Sequence, residues 1–216
     1  MGKKIILIIL FILPLVVYMF FATGVNQFVN LPTITKNVNE LPNWNSLSNQ
    51  KVQLKEKITI LGFLGDDVLT EKGNLFNLNQ KIYNKNKEFK DFQIVMIAPK
   101  GTEKDIQSII SELGTISDLS GWNFVFSSHD SIAEFYKSLH LTESLNPAIG
   151  TTNVYIIDKD LNLRGRKGKD LKGEEEYKEG YNTISAADLH NNMSDDVKII
   201  LAEYRLALKR NNKRKI

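Results

Sequence analysis

The N-terminal end of the chain is a long apolar run that follows two lysines. Residues 5–22 are apolar apart from one proline and one tyrosine, and Lys3 and Lys4 precede them. A run of about 20 apolar residues is long enough to cross a bilayer as a helix. The run ends on bulky aromatic side chains rather than on the small residues of a cleavage site. We therefore predict an uncleaved transmembrane anchor within residues 1–24, with a cleaved signal peptide or a buried helix as the alternatives.

The same lysines predict the orientation of this anchor. After Lys3 and Lys4, the next basic residue is Lys36. Because positive charge is retained on the cytoplasmic side, the N-terminus is expected in the cytoplasm and the remainder of the chain across the membrane. A composition rich in Asn and Lys is typical of AT-rich bacterial genomes. We therefore predict a single-pass protein of the inner (cytoplasmic) membrane whose domain lies in the periplasm.

Beyond the anchor, short apolar runs alternate with amphipathic segments. Residues 25–56 are polar and are predicted to form a linker and irregular entry with one early strand. The apolar runs predict buried strands at residues 59–63, 92–98, 122–126 and 154–157. Apolar side chains at helical spacing predict helices at residues 74–84, 106–113, 131–139 and 194–209. Thr102 and Ser131 are the predicted N-terminal caps of the second and third helices.

The order of these elements predicts the fold class. Helices between strands imply parallel crossovers that cover a sheet, and residues 161–166 are expected to return as an antiparallel hairpin partner of the last strand. The charged residues 167–182 lack periodicity and predict an exposed loop. The result is an α/β, thioredoxin-like domain, a central mixed sheet flanked by helices, over residues 57–210. A basic tail follows at residues 211–216.

The composition excludes several kinds of chemistry, because the 216 residues include no cysteine. Thiol–disulfide exchange, a disulfide framework, a thiolate zinc site and a lipidated N-terminal cysteine all require that residue. The formal net charge of +3 is too small to indicate nucleic-acid binding. The sequence has no Gly-rich phosphate loop, metalloprotease motif or Ser/His/Asp arrangement. We therefore expect no enzyme activity and no cofactor.

Three segments carry a resemblance to a known family. Residues 59–64, 122–125 and 154–166 resemble the core strands and closing hairpin of the Sco/SenC family of thioredoxin-like proteins, and the similarity extends over about residues 55–210. Members of that family are single-pass, membrane-anchored proteins that face the periplasm or the mitochondrial intermembrane space. They are implicated in delivering copper to cytochrome oxidase. The resemblance thus implies the same fold and topology.

The sequence departs from that family at the positions that bind copper. The family carries a C-x-x-x-C pair in the loop after its first core strand, and here residues 65–71 contain no sulfur. The family's copper-binding histidine lies just before the closing hairpin, and here residues 149–153 contain no histidine. Thr152 stands where related thioredoxins have a cis-proline. No catalytic, cofactor-binding or metal-binding residue is therefore carried over.

The candidate site comes from the end of the first strand and the approach to the fourth. Related folds contact their substrates there, so we predict that Asp66, Asp67, Thr151 and Thr152 bind a protein partner. Paired carboxylates suit a basic partner or a hard cation. The alternative is that Asp66 and Asp67 only form a turn and begin a helix, which are ordinary positions for Asp.

The remaining candidate binding residues are the three histidines and two basic segments. His129, His140 and His190 lack the spacing of metal ligands. The basic stretch at residues 164–169 and the basic residues within 209–215 suit an acidic partner or anionic headgroups, with plain solvation as the alternative.

The function predicted from the sequence is therefore a binding role. We expect a membrane-anchored, Cys-less module that supports assembly in the cell envelope, for instance of a respiratory complex, by binding a protein. The first alternative is a metallochaperone with a non-standard copper site that uses His129 or His140. The second alternative is a structural subunit of a membrane complex.

Overall fold

The structure, a computed structural model, describes residues 2–22, 30–169 and 173–213, with side chains described at residues 2, 10–19, 30–169 and 173–206. Its strands are β1 (Thr33–Thr35), β2 (Asn45–Ser46), β3 (Ile58–Leu64), β4 (Phe92–Pro99), β5 (Trp122–Ser127), β6 (Gly150–Ile157), β7 (Leu163–Arg164), β8 (Arg166–Lys169), β9 (Glu175–Lys178) and β10 (Tyr181–Asn182). Its α-helices are α1 (Gly2–Ala22), α2 (Lys72–Leu78), α3 (Asn84–Asn86), α4 (Glu103–Gly114), α5 (His129–Lys137) and α6 (Ser194–Lys213). Two π-helical turns, Asn79–Tyr83 and Asp188–Met193, join α2 to α3 and precede α6.

A helix covers most of the predicted anchor. This helix, α1, begins at Gly2 and ends at Ala22, whereas residues 23 and 24 of the predicted anchor lie outside the described residues. Among the helices of the described segments, none combines the length and the apolar character needed to cross a membrane. Membrane anchoring therefore stays a prediction.

The central sheet has the mixed topology that the order of elements predicts. Its strand order is β1-β7-β6-β3-β4-β5-β2, and β10 pairs with the same strand, β6, away from this path. The pairs β3/β4 and β4/β5 are parallel, as expected for strands joined by helices, whereas β6 pairs antiparallel with both β3 and β7. The α/β class and the central mixed sheet are thus confirmed.

Both faces of this sheet are covered, which explains why its central strands are continuous apolar runs. Alternate side chains of β3 and β4, such as Ile60 and Met96, join one core with residues of α2, α4 and α6. The intervening side chains, such as Leu61, join a second core with α5 and with buried residues of the entry segment, among them Leu54. Met96 is 3% exposed, in agreement with its predicted place in the core.

The prediction of an exposed loop at residues 167–182 is wrong. β8 and β9 form a two-stranded antiparallel hairpin, and β10 pairs with β6. Tyr181 is completely buried. The sequence pattern does not predict these strands, because the hairpin has charged residues and no apolar alternation and because β10 is two residues long. The remaining residues of this stretch, 170–172, lie outside the described residues.

Other boundaries differ in ways that local chemistry explains. The third predicted helix begins at His129 rather than Ser131, because Ser128 is its N-cap and accepts a hydrogen bond from the Ser131 amide. β6 begins at Gly150, four residues before the apolar run, and a register shift opposite Gly62 and Phe63 accommodates its polar start. The entry segment supplies β1 and β2 together with buried apolar side chains.

Asn79 is a buried polar side chain with an unusual environment. It lies in the π-helical turn Asn79–Tyr83 and is 1% exposed, and neither amide atom has a hydrogen-bond partner among the described residues. We expect Asn79→Leu to raise the free energy of unfolding by about 1–2 kcal/mol, because an unsatisfied buried amide opposes folding. Urea unfolding of the full chain in mild detergent measures the change.

A matched variant tests the cause of that gain. Asn84→Leu removes an amide oxygen that accepts a hydrogen bond from Ser117 at 2.6 Å, so it should lower stability by about 1 kcal/mol. A loss of stability in Asn79→Leu as well would show that a buried water pairs with the Asn79 amide.

Candidate functional site

The C-terminal ends of β3, β4 and β5, here called the sheet end, meet the loop that leads into β6. The Asp66 amide donates a 3.0 Å hydrogen bond to the Ala148 carbonyl. Gly65 precedes it with a φ of +69°, and a Cβ there would lie 2.6 Å from the same carbonyl oxygen. A Cβ at Gly150 would lie 2.9 Å from the Leu64 carbonyl oxygen. The two loops are therefore packed backbone against backbone, which holds the residue after β3 in a fixed position.

This close approach predicts an intolerance to side chains at Gly65. Gly65→Ala is expected to lower the free energy of unfolding by about 2–3 kcal/mol, because it adds a backbone clash to the strain of a positive φ. Gly101→Ala is the control, since Gly101 also has a positive φ, +104°, but its Cβ would meet nothing within 4 Å. The control should lose only about 1 kcal/mol, and an equal loss in both variants would contradict the close packing at Gly65.

A histidine–carboxylate hydrogen bond at the sheet end joins two residues that are 63 positions apart. Nε2 of His129, the first residue of α5, lies 2.8 Å and 3.0 Å from the two carboxylate oxygens of Asp66. Both side chains are 51% exposed, so the pair adds little to stability and remains open to a partner. Asp66 and His129 follow parallel strands on either side of β4, and parallel strands end at one edge of a sheet. The common edge of parallel strands is therefore the signal from which the proximity of the two residues could be inferred from the sequence.

Asp67 has a more local role in the observed geometry. Its side chain is exposed, and its carbonyl oxygen accepts hydrogen bonds from the amide and the hydroxyl of Thr70. This is a turn after β3, which is the structural alternative considered for the two aspartates. Asp66 and Asp67 are thus distinguished, because among the residues that the structure describes Asp66 pairs with a residue from another element, whereas Asp67 forms the local turn.

The two candidate threonines lie in different surroundings. Thr151 is in register with Phe63 of β3, next to the Gly150–Leu64 pair, and it therefore lies close to the sheet end. The Thr152 carbonyl accepts hydrogen bonds from the amide and hydroxyl of Thr183, and Thr152 lines a separate groove. The predicted set is therefore divided between the sheet end and this groove.

The groove has a volume of about 550 Å³ and is formed by three distant stretches of chain. Its walls carry the carboxylates of Glu143 and Glu179, which accept hydrogen bonds from Asn153 and from Thr142 respectively. At its base lies Tyr155, and burial raises the pKa of its hydroxyl. The sequence prediction missed this groove because one wall, residues 177–182, belongs to the stretch predicted as a loop.

The described residues provide few side chains that could bind a metal ion together. Among them, no group of three or more His, Cys, Asp or Glu side chains is arranged to hold an ion. His129 pairs with Asp66, His140 follows α5 with a φ of +53°, and His190 lies in the second π-helical turn. Copper prefers imidazole and sulfur ligands, and the sheet end presents one imidazole beside a carboxylate.

Comparison with known proteins shows which solved structures share the fold of this chain. No family model matches the sequence, and no curated protein matches it. Solved structures do: a SCO1/SenC family lipoprotein from Bacillus anthracis is 17% identical with a TM-score of 0.55, over 79% of this chain and 99% of that one. BsSco, described as a member of the Sco family of cytochrome c oxidase assembly proteins, is 15% identical with a TM-score of 0.52, over 81% and 99%. The chain thus has the thioredoxin-like fold of these Sco proteins, and it has that fold without a cysteine.

Proposed function

We propose that this protein is a membrane-anchored, Cys-less module of the cell envelope that binds a protein partner at the sheet end and does not act by redox chemistry. The observation that carries the proposal is a pair of exposed polar side chains at the sheet end. Asp66 and His129 form an accessible hydrogen-bonded pair on a closely packed loop, at the position where the Sco/SenC resemblance implies a cysteine pair. With no thiol available, this surface acts through charge and hydrogen bonds.

The charge of the sheet end indicates the kind of partner. Asp66, Asp67 and Asp130 are all exposed there, and they outnumber the exposed Lys100 that follows β4. A basic protein surface is complementary to these carboxylates. By analogy with the cytochrome c oxidase assembly role given for the Sco family of BsSco, a respiratory complex of the envelope is a partner of suitable class.

Three sequence features support the proposed location, a membrane anchor with a periplasmic domain. The apolar residues 5–22, the lysines before them and the long polar stretch after them suit a single anchor with a cytoplasmic N-terminus and a periplasmic domain. The fold neighbour from Bacillus anthracis is a lipoprotein, which is a membrane-attached class as well. Here the absence of cysteine leaves the helix as the means of attachment.

Site-specific photo-crosslinking in native membranes tests the binding role. A photoreactive residue at Leu69, which is 54% exposed in the loop after β3, should give one discrete crosslinked product. The same residue at Lys137, exposed at the end of α5, is the control and should give none. Asp66→Lys with Asp67→Lys should abolish the product. A product that survives this charge reversal would contradict recognition through the carboxylates.

Calorimetric titration of the full chain with Cu(I), Cu(II) and Zn(II) tests the main alternative. Under our proposal no ion binds stoichiometrically at the sheet end. One equivalent bound tightly, and lost in His129→Ala, would replace the proposal with a metallochaperone role. Co-purification with a membrane complex at fixed stoichiometry would instead indicate a structural subunit.

A further inference from the structure

Lys159 connects three parts of the chain at the pole of the domain opposite the sheet end. Its ammonium pairs with Asp91, and it lies 6.0 Å from the ring centroid of Phe89 and 5.5 Å from that of Tyr204. Tyr204 of α6 also donates a hydrogen bond to Asp160, in the turn after β6. This part of α6 therefore passes beside the turn at residues 84–91, which leads into the start of β4. We call this turn and residues 204–213 of α6 the basic pole.

The chain enters the domain at the same place. The Leu31 amide donates a 2.7 Å hydrogen bond to Glu203, the residue before Tyr204, and the Leu31 carbonyl accepts from the Arg164 guanidinium. Eight residues separate Leu31 from Ala22, the last residue of α1, and this connection spans at most about 30 Å when extended. An anchor that ends there would keep the basic pole within this distance of a bilayer.

Charge is distributed unevenly between the two poles. The loops after β3 and β5 at the sheet end expose Asp66, Asp67 and Asp130, with Lys100 exposed after β4, whereas the turn at the basic pole exposes three lysines and one glutamate: Lys85, Lys87, Lys90 and Glu88. Residues 205–213 contain no acidic residue and four basic ones: Arg205, Lys209, Arg210 and Lys213. The α6 backbone continues for nine residues past Tyr204, which is roughly 14 Å of helix beyond its contact with the domain.

We propose that the basic pole binds the anionic phospholipid headgroups of the membrane that holds the anchor, so that the sheet end points away from the bilayer. The inference rests on the proposed membrane anchor. Electrostatic attraction acts over about a Debye length, near 8 Å at physiological ionic strength. A tether of at most about 30 Å allows the basic residues to approach the headgroups within that range, where each contributes to the attraction. The consequence is that the partner-binding surface is presented to the periplasm, free of the membrane.

The absence of native cysteine allows a clean test with single-cysteine probes. The full chain carrying Asn212→Cys, labelled with an environment-sensitive fluorophore, is reconstituted in vesicles of phosphatidylcholine alone or mixed with phosphatidylglycerol. Emission should shift to shorter wavelength and gain about twofold or more in the mixed vesicles. The gain should disappear at about 1 M salt, where the Debye length is near 3 Å. The same label at Leu69→Cys, on the sheet end, should not respond.

Charge variants establish which residues are responsible. Lys209→Gln, Arg210→Gln and Lys213→Gln together should remove the response of the Asn212→Cys probe. The matched control neutralises three exposed lysines away from this pole, Lys100, Lys104 and Lys167, and should keep the response. Equal responses in the two triple variants would overturn the assignment of lipid binding to the basic pole.

The remaining outcomes separate this inference from the proposed function. A chain that stays in vesicles during alkaline extraction, with an Asn212→Cys probe insensitive to phosphatidylglycerol, would overturn the lipid inference and leave the anchored binding role intact. A chain removed by alkaline extraction would overturn the anchor and, with it, this inference. A probe that responds in native membranes and not in the mixed vesicles would assign the basic pole to an acidic protein instead.

Discussion

Replacing Arg164 with Met is expected to lower the free energy of unfolding by about 3–5 kcal/mol, out of the roughly 5–15 kcal/mol typical of a folded domain. Arg164 is 8% exposed and donates to Asp158 at 2.9 Å and to Glu203 at 2.8 Å. Met retains much of the packing volume but leaves the carboxylate of Asp158, which is 1% exposed, without a cation. Urea unfolding of the full chain in mild detergent, followed by tryptophan fluorescence, measures the loss.

Two further variants decide whether the buried charge is the cause. Lys198→Met breaks a pair with Asp195 whose side chains are 65% and 61% exposed, so it should change stability by less than about 0.5 kcal/mol. Combining Arg164→Met with Asp158→Asn should cost at least about 1 kcal/mol less than the sum of the single variants, because the pair is then removed together. Strict additivity would mean that Asp158 is satisfied by Asn162 and backbone amides alone.

This ion network is one of the features that the sequence pattern does not reveal. The pattern predicts β3, β4 and β5 well, because strands buried on both faces must be continuously apolar. It predicts α4 and α6 because one face of each helix packs on the sheet. Arg164, by contrast, was grouped with a basic surface segment, and only the arrangement of Asp158, Glu203 and Leu31 around it shows that it is buried.

The candidate site could be predicted in part for a similar reason. The end of β3 is the right place to search, since Gly65 and Asp66 follow a buried parallel strand and Thr151 lies nearby. The hydrogen bond between Asp66 and His129 could not be predicted from spacing along the chain, because the two residues are 63 positions apart. Only the rule that parallel strands end at one edge of a sheet indicates that they lie close together. The groove at Thr152 was hidden because it needs a hairpin that carries no apolar alternation.

Tyr181, in the strand β10 that follows this hairpin and pairs with β6, provides the sharpest test of the unpredicted structure in residues 173–182. Tyr181→Ala is expected to lower the free energy of unfolding by about 3–5 kcal/mol, because it removes a completely buried ring from the core beneath α6. The ring also carries a hydroxyl that donates a 2.6 Å hydrogen bond to the buried carboxylate of Asp196, and burial raises the pKa of this hydroxyl. The same urea unfolding measurement reports the change.

Comparison with two milder variants separates packing from hydrogen bonding. Tyr181→Phe keeps the ring and should cost only about 1–2 kcal/mol, because Asp196 retains its ion pair with Arg166. Tyr177→Ala removes a tyrosine of the neighbouring strand β9 that is 55% exposed, so it should cost less than about 1 kcal/mol. If Tyr181→Ala were no more harmful than Tyr177→Ala, residues 173–182 would behave as the exposed loop that their charge pattern predicts. A large difference between the two would show that one buried ring holds β10, and with it the wall of the groove at residues 177–182, on the sheet.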